Sequence, residues 1–556
     1  MTLFRATTES AREATEQQSI AQSSQPTVDP RTRRYKDVEL RRAGRRNAVL
    51  FVLAQTTGLV YLGWLVMAID WSHPWLGGSF LCAEIICAVS VFLWGEMLTS
   101  KRLHLAEGLP WHGDPPPVDV LIAVCHEPIE VVQPTFAAVA KIDYPHFRVI
   151  VLDDGRAAEV RELAAAHGFA YTTRERRHFA KSGNLNHGLS LTAAPFVMTL
   201  DADQVPQSEI ITRLIGFFQV PRIGFVASRQ AFAVPTGDPW GNRDTVFYEA
   251  MQMGKNDANA TISCGSGVIY RREALLEIGG FPTWSLVEDL YASLLLEQRG
   301  WRGVYYAFAL SEGTAPTDIF AQHQQRWQWA VDGLRILFWR NPLFARGLDW
   351  RQRFNYFHFG WHYVMYGIAY PIFFCVPVWC LFRGEFVVAA PFWLFLCYRL
   401  PYLGFMRLMT RFMTDQAHDF KAFQMQVGLW PVYVSAMMTA LTHPFTRPAY
   451  QVTPKVARRT SFVRRAAALW PNLAVMAGST AAITYGFRFH ADEPTFLAVL
   501  TFWCLWSIVA LSRFTLTGLF SGHRSVGMIG LPGEKAKPWS SSSAHHSRPR
   551  RPGEEP

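Results

Sequence analysis

Three pairs of closely spaced acids could do chemistry in this chain: Asp153/Asp154 in "FRVIVLDDG", Asp201/Asp203 in "PFVMTLDADQVP" and Glu288/Asp289 in "WSLVEDLYASLLLEQRGW". Side chains two residues apart on an extended chain point to the same side. Asp201 and Asp203 have that spacing, so together they could hold a hard divalent cation through oxygen and leave positions open for phosphate oxygens. Glu288 and Asp289 sit where a helix starts, with Leu290, Leu294 and Leu295 at helical spacing. Acids there accept free backbone N–H groups and suit the helix dipole, so capping competes with a role as base. Asp-Gly is likewise a common turn.

The elements that position these acids alternate. "VDVLIAVC" (118–125) reads as a strand, "PTFAAVAKI" as a helix, "FRVIVLDDG" as a strand, "AAEVRELAAAHG" as a helix and "PFVMTLDADQVP" as a strand. That alternation predicts an α/β domain with a doubly wound, mostly parallel sheet. Such sheets bind ligands outside the carboxyl ends of their strands, where both aspartate clusters fall. The sequence has no GxxxxGK[ST] and no GxGxxG, which argues against a P-loop nucleotidase and against dinucleotide redox chemistry.

The domain is framed by apolar runs. Residues 47–69, 74–98, 362–382, 386–406, 469–487 and 495–512 are expected to cross a bilayer, which takes about 20 apolar residues. The first run starts too late and is too long for a signal peptide. "FQMQVGLWPVYVSAMMTALTHPF" (423–445) is broken by Pro431 and reads as an interfacial helix, with a seventh crossing as the alternative. "RTRRYKDVELRRAGRR" before the first crossing, and Lys101 with Arg102 after the second, place the domain and both termini in the cytoplasm of an inner-membrane protein. The net charge of +10 follows from that bias and from anionic lipid, and no nucleic-acid partner is expected. Six of the eight cysteines lie in apolar runs and no CxxC occurs, so no zinc site or disulfide framework is expected.

The ordered set "LDDG", "KSGNLNHGL", "LDADQVP", "CGSG", "VED" and "QQRWQW", flanked by membrane runs, resembles the processive family 2 inverting glycosyltransferases, the group of bacterial cellulose synthase. The likeness runs from about Val118 to Lys455. It implies a glycosyltransferase A-type domain that extends a polysaccharide from a UDP-sugar, UDP-glucose first, with Mg²⁺ or Mn²⁺, and guides the product across the membrane.

Carried over by position, the resemblance implies that Glu127 and Asp153 contact uridine and that Lys181 meets the diphosphate. Asp201 and Asp203 would hold the metal, Asp203 more directly, and Asp289 would be the general base, with Glu288 beside it as a supporting or capping acid. Arg326 would meet the diphosphate and Trp327 would face the acceptor sugar. Thr453 and Lys455, in "YQVTPK", would close over UDP. An inverting transfer needs one base and no acid, because a UDP leaving group takes no proton.

The expected organisation is a disordered basic tail (1–46), two membrane helices (47–98), the cytoplasmic domain (115–340), interfacial helices with two membrane helices (341–445), a gating-like loop (446–466), two membrane helices (467–518) and a disordered tail (519–556). Partners would be the UDP-sugar, the growing polysaccharide, membrane lipid and an accessory export subunit. The chain departs from the family pattern at Cys125, His126, Ser263, Val287 and His323. Three of these changes lie toward the acceptor, so the product need not be plain cellulose. A glycolipid-forming enzyme, a hyaluronan- or chitin-type synthase and a catalytically silent subunit are the rival readings.

Overall fold

The computed structural model describes residues 30–99, 108–235, 238–414, 420–454 and 460–520; for 30–43 the backbone alone is described. Both expected terminal tails, except residues 30–46 and 519–520, lie outside the described residues, as does Lys455. Residues 1–49 and 50–556 are separate compact units, and the described part of the first is the start of the helix Pro30–Ala68.

The second unit is built on a mixed sheet of eight strands: β1 (Val118–Val124), β2 (Phe147–Asp153), β3 (Ala170–Thr172), β4 (Phe196–Asp201), β5 (Val205–Pro206), β6 (Ile223–Ala233), β7 (Val268–Arg271) and β8 (Arg302–Thr314). Their spatial order is β3-β2-β1-β4-β7-β6-β8-β5. The pairs β3–β2, β2–β1, β1–β4 and β6–β8 are parallel, while β7 runs antiparallel between β4 and β6 and β5 pairs antiparallel with β8.

Period-two alternation accounts for the layering. Val118, Val120, Ile122 and Val124 of β1 pack with Val132 and Phe136 of the helix Ile129–Val139, whereas Leu121 packs on the other face with Leu185 and Leu189 of the helix Ala180–Ser190. Both faces are covered, so the strand is apolar throughout except for Asp119, whose carboxylate accepts from Arg148 and the Ala193 and Ala194 N–H groups. Register then brings the acids together: Val124 pairs with Asp153 and Ala123 with Asp201, at the carboxyl edge of three adjacent parallel strands.

Among the described residues four helices are long and apolar enough to cross a bilayer, Gly44–Ala68, Pro74–Leu98, Trp350–Arg383 and Pro494–Phe520, and a fifth span results if Phe462–Ala468 and Trp470–Phe489, bent by 76°, count as one. These mark a membrane protein. The remaining expected crossing forms the helix Phe392–Met413, which carries Arg399, Arg407 and Arg411 and is not in that set. The stretch expected at the interface forms two short helices, Phe420–Gly428 and Trp430–Thr442. Glu84, in the second apolar run, is buried and ion-paired with Arg399, whose guanidinium lies 4.7 Å from the Tyr61 ring. A charge in a membrane helix has found its counter-ion on another helix.

Candidate active site

The site is built around Lys181, near the start of the helix Ala180–Ser190. The chain enters that helix through two consecutive left-handed residues, Phe179 (φ 65°) and Ala180 (φ 44°). Such a conformation costs energy and persists where neighbours enforce it. Arg174 does so here: it donates to the carbonyls of His178 (2.5 Å) and Ala180 (2.7 Å) while its fork grips Asp154 at 2.7 and 2.6 Å. The Lys181 ammonium is thereby delivered to Asp201 Oδ1 at 2.6 Å, Glu288 Oε1 at 3.1 Å and the carbonyl of Gly265 at 3.2 Å. Burial works against its charge, yet Asp201 and Glu288, with Asp289 behind them, hold its pKa well above the usual lysine value.

Asp289 faces the same point. A Cβ placed on Gly265 would lie 3.2 Å from Asp289 Oδ2, 3.2 Å from Lys181 Nζ and 3.4 Å from Glu288 Oε1, so three charged groups converge on one glycine held at φ 69°. Asp289 Oδ1 accepts the backbone N–H of Leu290 at 2.6 Å. One oxygen thus serves the helix start and the other faces the cavity, while Glu288 is buried against Lys181. Burial and the Glu288 charge push the Asp289 carboxyl up to about 7, against the opposing pull of Lys181. A carboxylate tuned to neutral pH beside a cation suits a general base.

Asp201 and Asp203 do not reach the cavity in the way the extended-chain argument expects. β4 ends at Asp201 and the chain turns, with Gln204 N–H bonding to Asp201 carbonyl at 3.1 Å. The two carboxylates take different partners: Asp201 pairs with Lys181, and Asp203 accepts from Thr314 Oγ1 at 2.5 Å and N–H at 3.3 Å. Both still line one cavity. The donor set suits a hard cation, since Mg²⁺-like ions take one or two carboxylates and complete their shell with substrate phosphates and water. Among the described residues no group of three or more His, Cys, Asp and Glu is placed to hold a metal by itself.

The expected uridine contacts separate. Glu127 lines the cavity and accepts Cys125 N–H at 2.5 Å. Asp153 is fully buried and accepts Gly155 N–H (2.6 Å), Ala157 N–H (2.9 Å) and Tyr171 O–H (2.9 Å), while its neighbour Asp154 lines the cavity.

The helix Ile319–Trp339, capped by Asp318 through Phe320 N–H and Ala321 N–H, forms the opposite wall. Its Gln325, Arg326, Gln328 and Trp329 face the cavity, and Ala330, Val331, Leu334 and Leu337 face an apolar cluster. Arg326 is paired at 2.9 Å with Asp244, a residue not singled out from sequence, and lies 4.8 Å from the Trp329 ring. Trp327 packs into the apolar cluster, whereas Trp329 lines the cavity. His323 stacks on Phe514 at 5.9 Å, and burial lowers its pKa to about 4, which keeps it neutral. Gln324 Nε2 holds the carbonyls of Gln451 and Val452 at 2.9 Å each, placing Thr453 at the cavity wall.

The cavity measures about 770 Å³. It runs from Lys181, Asp201 and Asp289 past Arg326 to Tyr363, Tyr366, Tyr370 and Tyr433 on the helices that follow. Residues 119–279 match the glycosyl transferase family 2 model, and residues 277–410 match the cellulose synthase model. The chain is 32% identical over 379 residues to cellulose synthase 1 of Komagataeibacter xylinus, covering 65% of this chain and 24% of that one. It is 31% identical over 389 residues to the UDP-forming cellulose synthase catalytic subunit of Pseudomonas fluorescens (strain SBW25), covering 66% and 52%. The match thus spans about a quarter to about half the length of these relatives. The mannosyltransferase PcManGT from Pyrobaculum calidifontis, solved with GDP-Man and Mn²⁺, is 19% identical with a TM-score of 0.46, over 61% of this chain and 97% of that one. Residues 119–279 are thus similar to glycosyl transferase family 2 and residues 277–410 to cellulose synthase, and about two thirds of the chain resembles bacterial cellulose synthases.

Proposed function

We propose that this protein is an inverting, processive β-glycosyltransferase that extends a polysaccharide from a UDP-sugar, UDP-glucose first, and guides the product across the membrane. The observation that carries this reading is the continuity of the cavity: the Lys181–Asp289 cluster opens into a path lined by Tyr363, Tyr366, Tyr370 and Tyr433. Aromatic faces suit sugar rings and give a polymer successive contacts of similar strength.

In this reading Asp289 takes the proton of the acceptor hydroxyl as that oxygen attacks the anomeric carbon, and the glycosidic bond forms as the bond to the diphosphate breaks. Lys181 and Arg326 place positive charge beside the departing diphosphate. Asp201 and Asp203 would hold Mg²⁺ or Mn²⁺, which when bound would neutralise diphosphate charge. Glu127 and Asp153 would fix the nucleoside, Asp153 by shaping the loop that presents Asp154. Trp327 would support the acceptor wall from behind Trp329. Thr453, with Lys455 outside the described residues, would cover the donor. The basic run before the first membrane helix favours an inner-membrane protein with a cytoplasmic catalytic domain and cytoplasmic termini, working with membrane lipid and an accessory export subunit.

The test is incorporation of radiolabel into ethanol-insoluble polymer by purified membranes given UDP-glucose, UDP-N-acetylglucosamine or UDP-glucuronate with Mg²⁺ or Mn²⁺, beside Asp289→Asn. Long polymer from one donor, lost in the variant, is the expected result. Label confined to the lipid extract would replace this reading with glycolipid synthesis, and no turnover of any donor would favour a silent subunit.

A further inference from the structure

Arg335 lies in the helix Ile319–Trp339, fully buried, and touches none of the groups assigned to chemistry. Its guanidinium spends three nitrogens on three backbone carbonyls: Nη1 on Trp284 (2.8 Å), Nε on His443 (3.0 Å) and Nη2 on Thr446 (3.0 Å). It also stacks 4.0 Å from the Trp284 ring, whose Nε1–H reaches the Pro444 carbonyl at 3.1 Å. Arg447 returns the tie by donating to the Leu286 carbonyl at 3.2 Å. One turn nearer the cavity, Asp332 accepts Val287 N–H at 2.5 Å and stands 3.6 Å from Arg335.

Two segments are thereby pinned to one helix and to each other. The first, 284–287, runs directly into Glu288 and Asp289. The second, 443–447, leads to Tyr450, Val452 and Thr453 at the cavity wall, which Gln324 and Gln328 of the same helix hold through the Gln451 and Val452 carbonyls. We propose that Arg335 is a positioning residue for transfer: its guanidinium fixes the base-bearing chain and the chain that covers the cavity in one mutual arrangement. The proposal rests on Asp289 being the base.

Burying a guanidinium costs more than burying an apolar side chain of the same size, and here the nearest carboxylate is 3.6 Å away. What the fork does that an ammonium cannot is reach three carbonyls from fixed directions. Among the groups assigned to the donor, Lys181 and Asp201 lie on the helix Ala180–Ser190 and β4, Arg326 is held by its own pair with Asp244, and Gln324 and Gln328 still hold the chain that carries Thr453. Loosening Arg335 therefore displaces the base more than it displaces these donor contacts. A displacement of about 1 Å costs on the order of a hundredfold in rate, and its signature is a fall in kcat at constant KM.

The experiment uses the full chain in purified membranes with UDP-glucose and Mg²⁺, comparing Arg335→Lys, Arg335→Met, Trp284→Phe and Asp289→Asn, with rates normalised to folded protein by size-exclusion chromatography. Arg335→Lys is expected to lower kcat by about thirtyfold or more with KM for donor within about twofold. Trp284→Phe, which keeps an aromatic face beside Arg335 but loses the five-membered ring and its bond to Pro444, is expected to lower kcat by about threefold to tenfold at the same KM, and it serves if the Arg335 variants fail to fold. Wild-type kcat and KM per folded molecule in Arg335→Lys or Trp284→Phe would overturn the proposal while an inactive Asp289→Asn left the base assignment standing. An active Asp289→Asn would overturn both.

Discussion

The Lys181 ammonium stands 2.6 Å from Asp201 Oδ1, so a side-chain cation already lies beside a carboxylate that would also hold a divalent ion. Both side chains are partly exposed, 20% and 37%, and a screened pair of this kind is worth at most about 1 kcal/mol.

Replacing the lysine should therefore separate metal binding from catalysis. Lys181→Met is expected to bind Mn²⁺ up to about fivefold more tightly in the absence of donor, read by electron paramagnetic resonance, while transfer falls by about a hundredfold or more. Asp201→Asn should weaken Mn²⁺ binding. Chelation should abolish transfer in the native protein, and either cation should restore it. Weaker Mn²⁺ binding by Lys181→Met would remove Asp201 from the metal site.

Asp289 sets the pH dependence. Its carboxyl is pushed up to about 7 by burial and Glu288, opposed by Lys181, and Cys264, Tyr248 and Tyr270 also face it. A base works deprotonated, so kcat should rise as pH increases through about 7 and fall below it. Stability runs the other way: the native state holds this proton more tightly than the unfolded chain, so the contribution is present at low pH and lost as pH rises through about 7. Asp289→Asn should accordingly raise the melting temperature more at pH 8.5 than at pH 5. Equal melting shifts at both pH values would contradict the assignment.

At Gly265 an added methyl group would meet all three charged partners, and the backbone there is left-handed at φ 69°. Gly265→Ala is expected to cost about 1–2 kcal/mol in backbone strain and to lower kcat by about a hundredfold through displacement of Asp289 and Lys181. A thermal melt with initial rates on the same preparation checks both.

Arg326 and Asp244 form an almost buried pair at 2.9 Å. Arg326→Met leaves the Asp244 charge uncompensated and should destabilise by about 3 kcal/mol. The double change Arg326→Met with Asp244→Asn should recover most of that loss without recovering transfer. Restored activity in the double variant would remove Arg326 from the diphosphate site.

Much of the frame was legible in sequence because it rests on local periodicity. The stretches of β1, β2 and β4 announced strands, and their alternation with helices pointed to the parallel core of the sheet. The resemblance pointed to Lys181, Asp201 and Asp289, and the fold brings these three to one edge. The antiparallel insertion of β7 between β4 and β6 was not legible, because a four-residue strand carries no direction in its pattern.

Residue types and spacings by themselves determined which groups are present at the carboxyl edge and which segments are apolar enough for a bilayer. Tertiary structure alone decided their pairings. Asp203 turns to Thr314, Arg326 to Asp244 and Glu84 to Arg399, each partner lying far along the chain. Trp329 lines the cavity where Trp327 was expected, because helix rotation against an apolar cluster settles which of two nearby tryptophans is exposed. Local sequence specifies conformation through backbone sterics and side-chain periodicity. The charge state and reach of a side chain depend on burial and on the groups that folding brings within a few ångströms, which no local pattern contains.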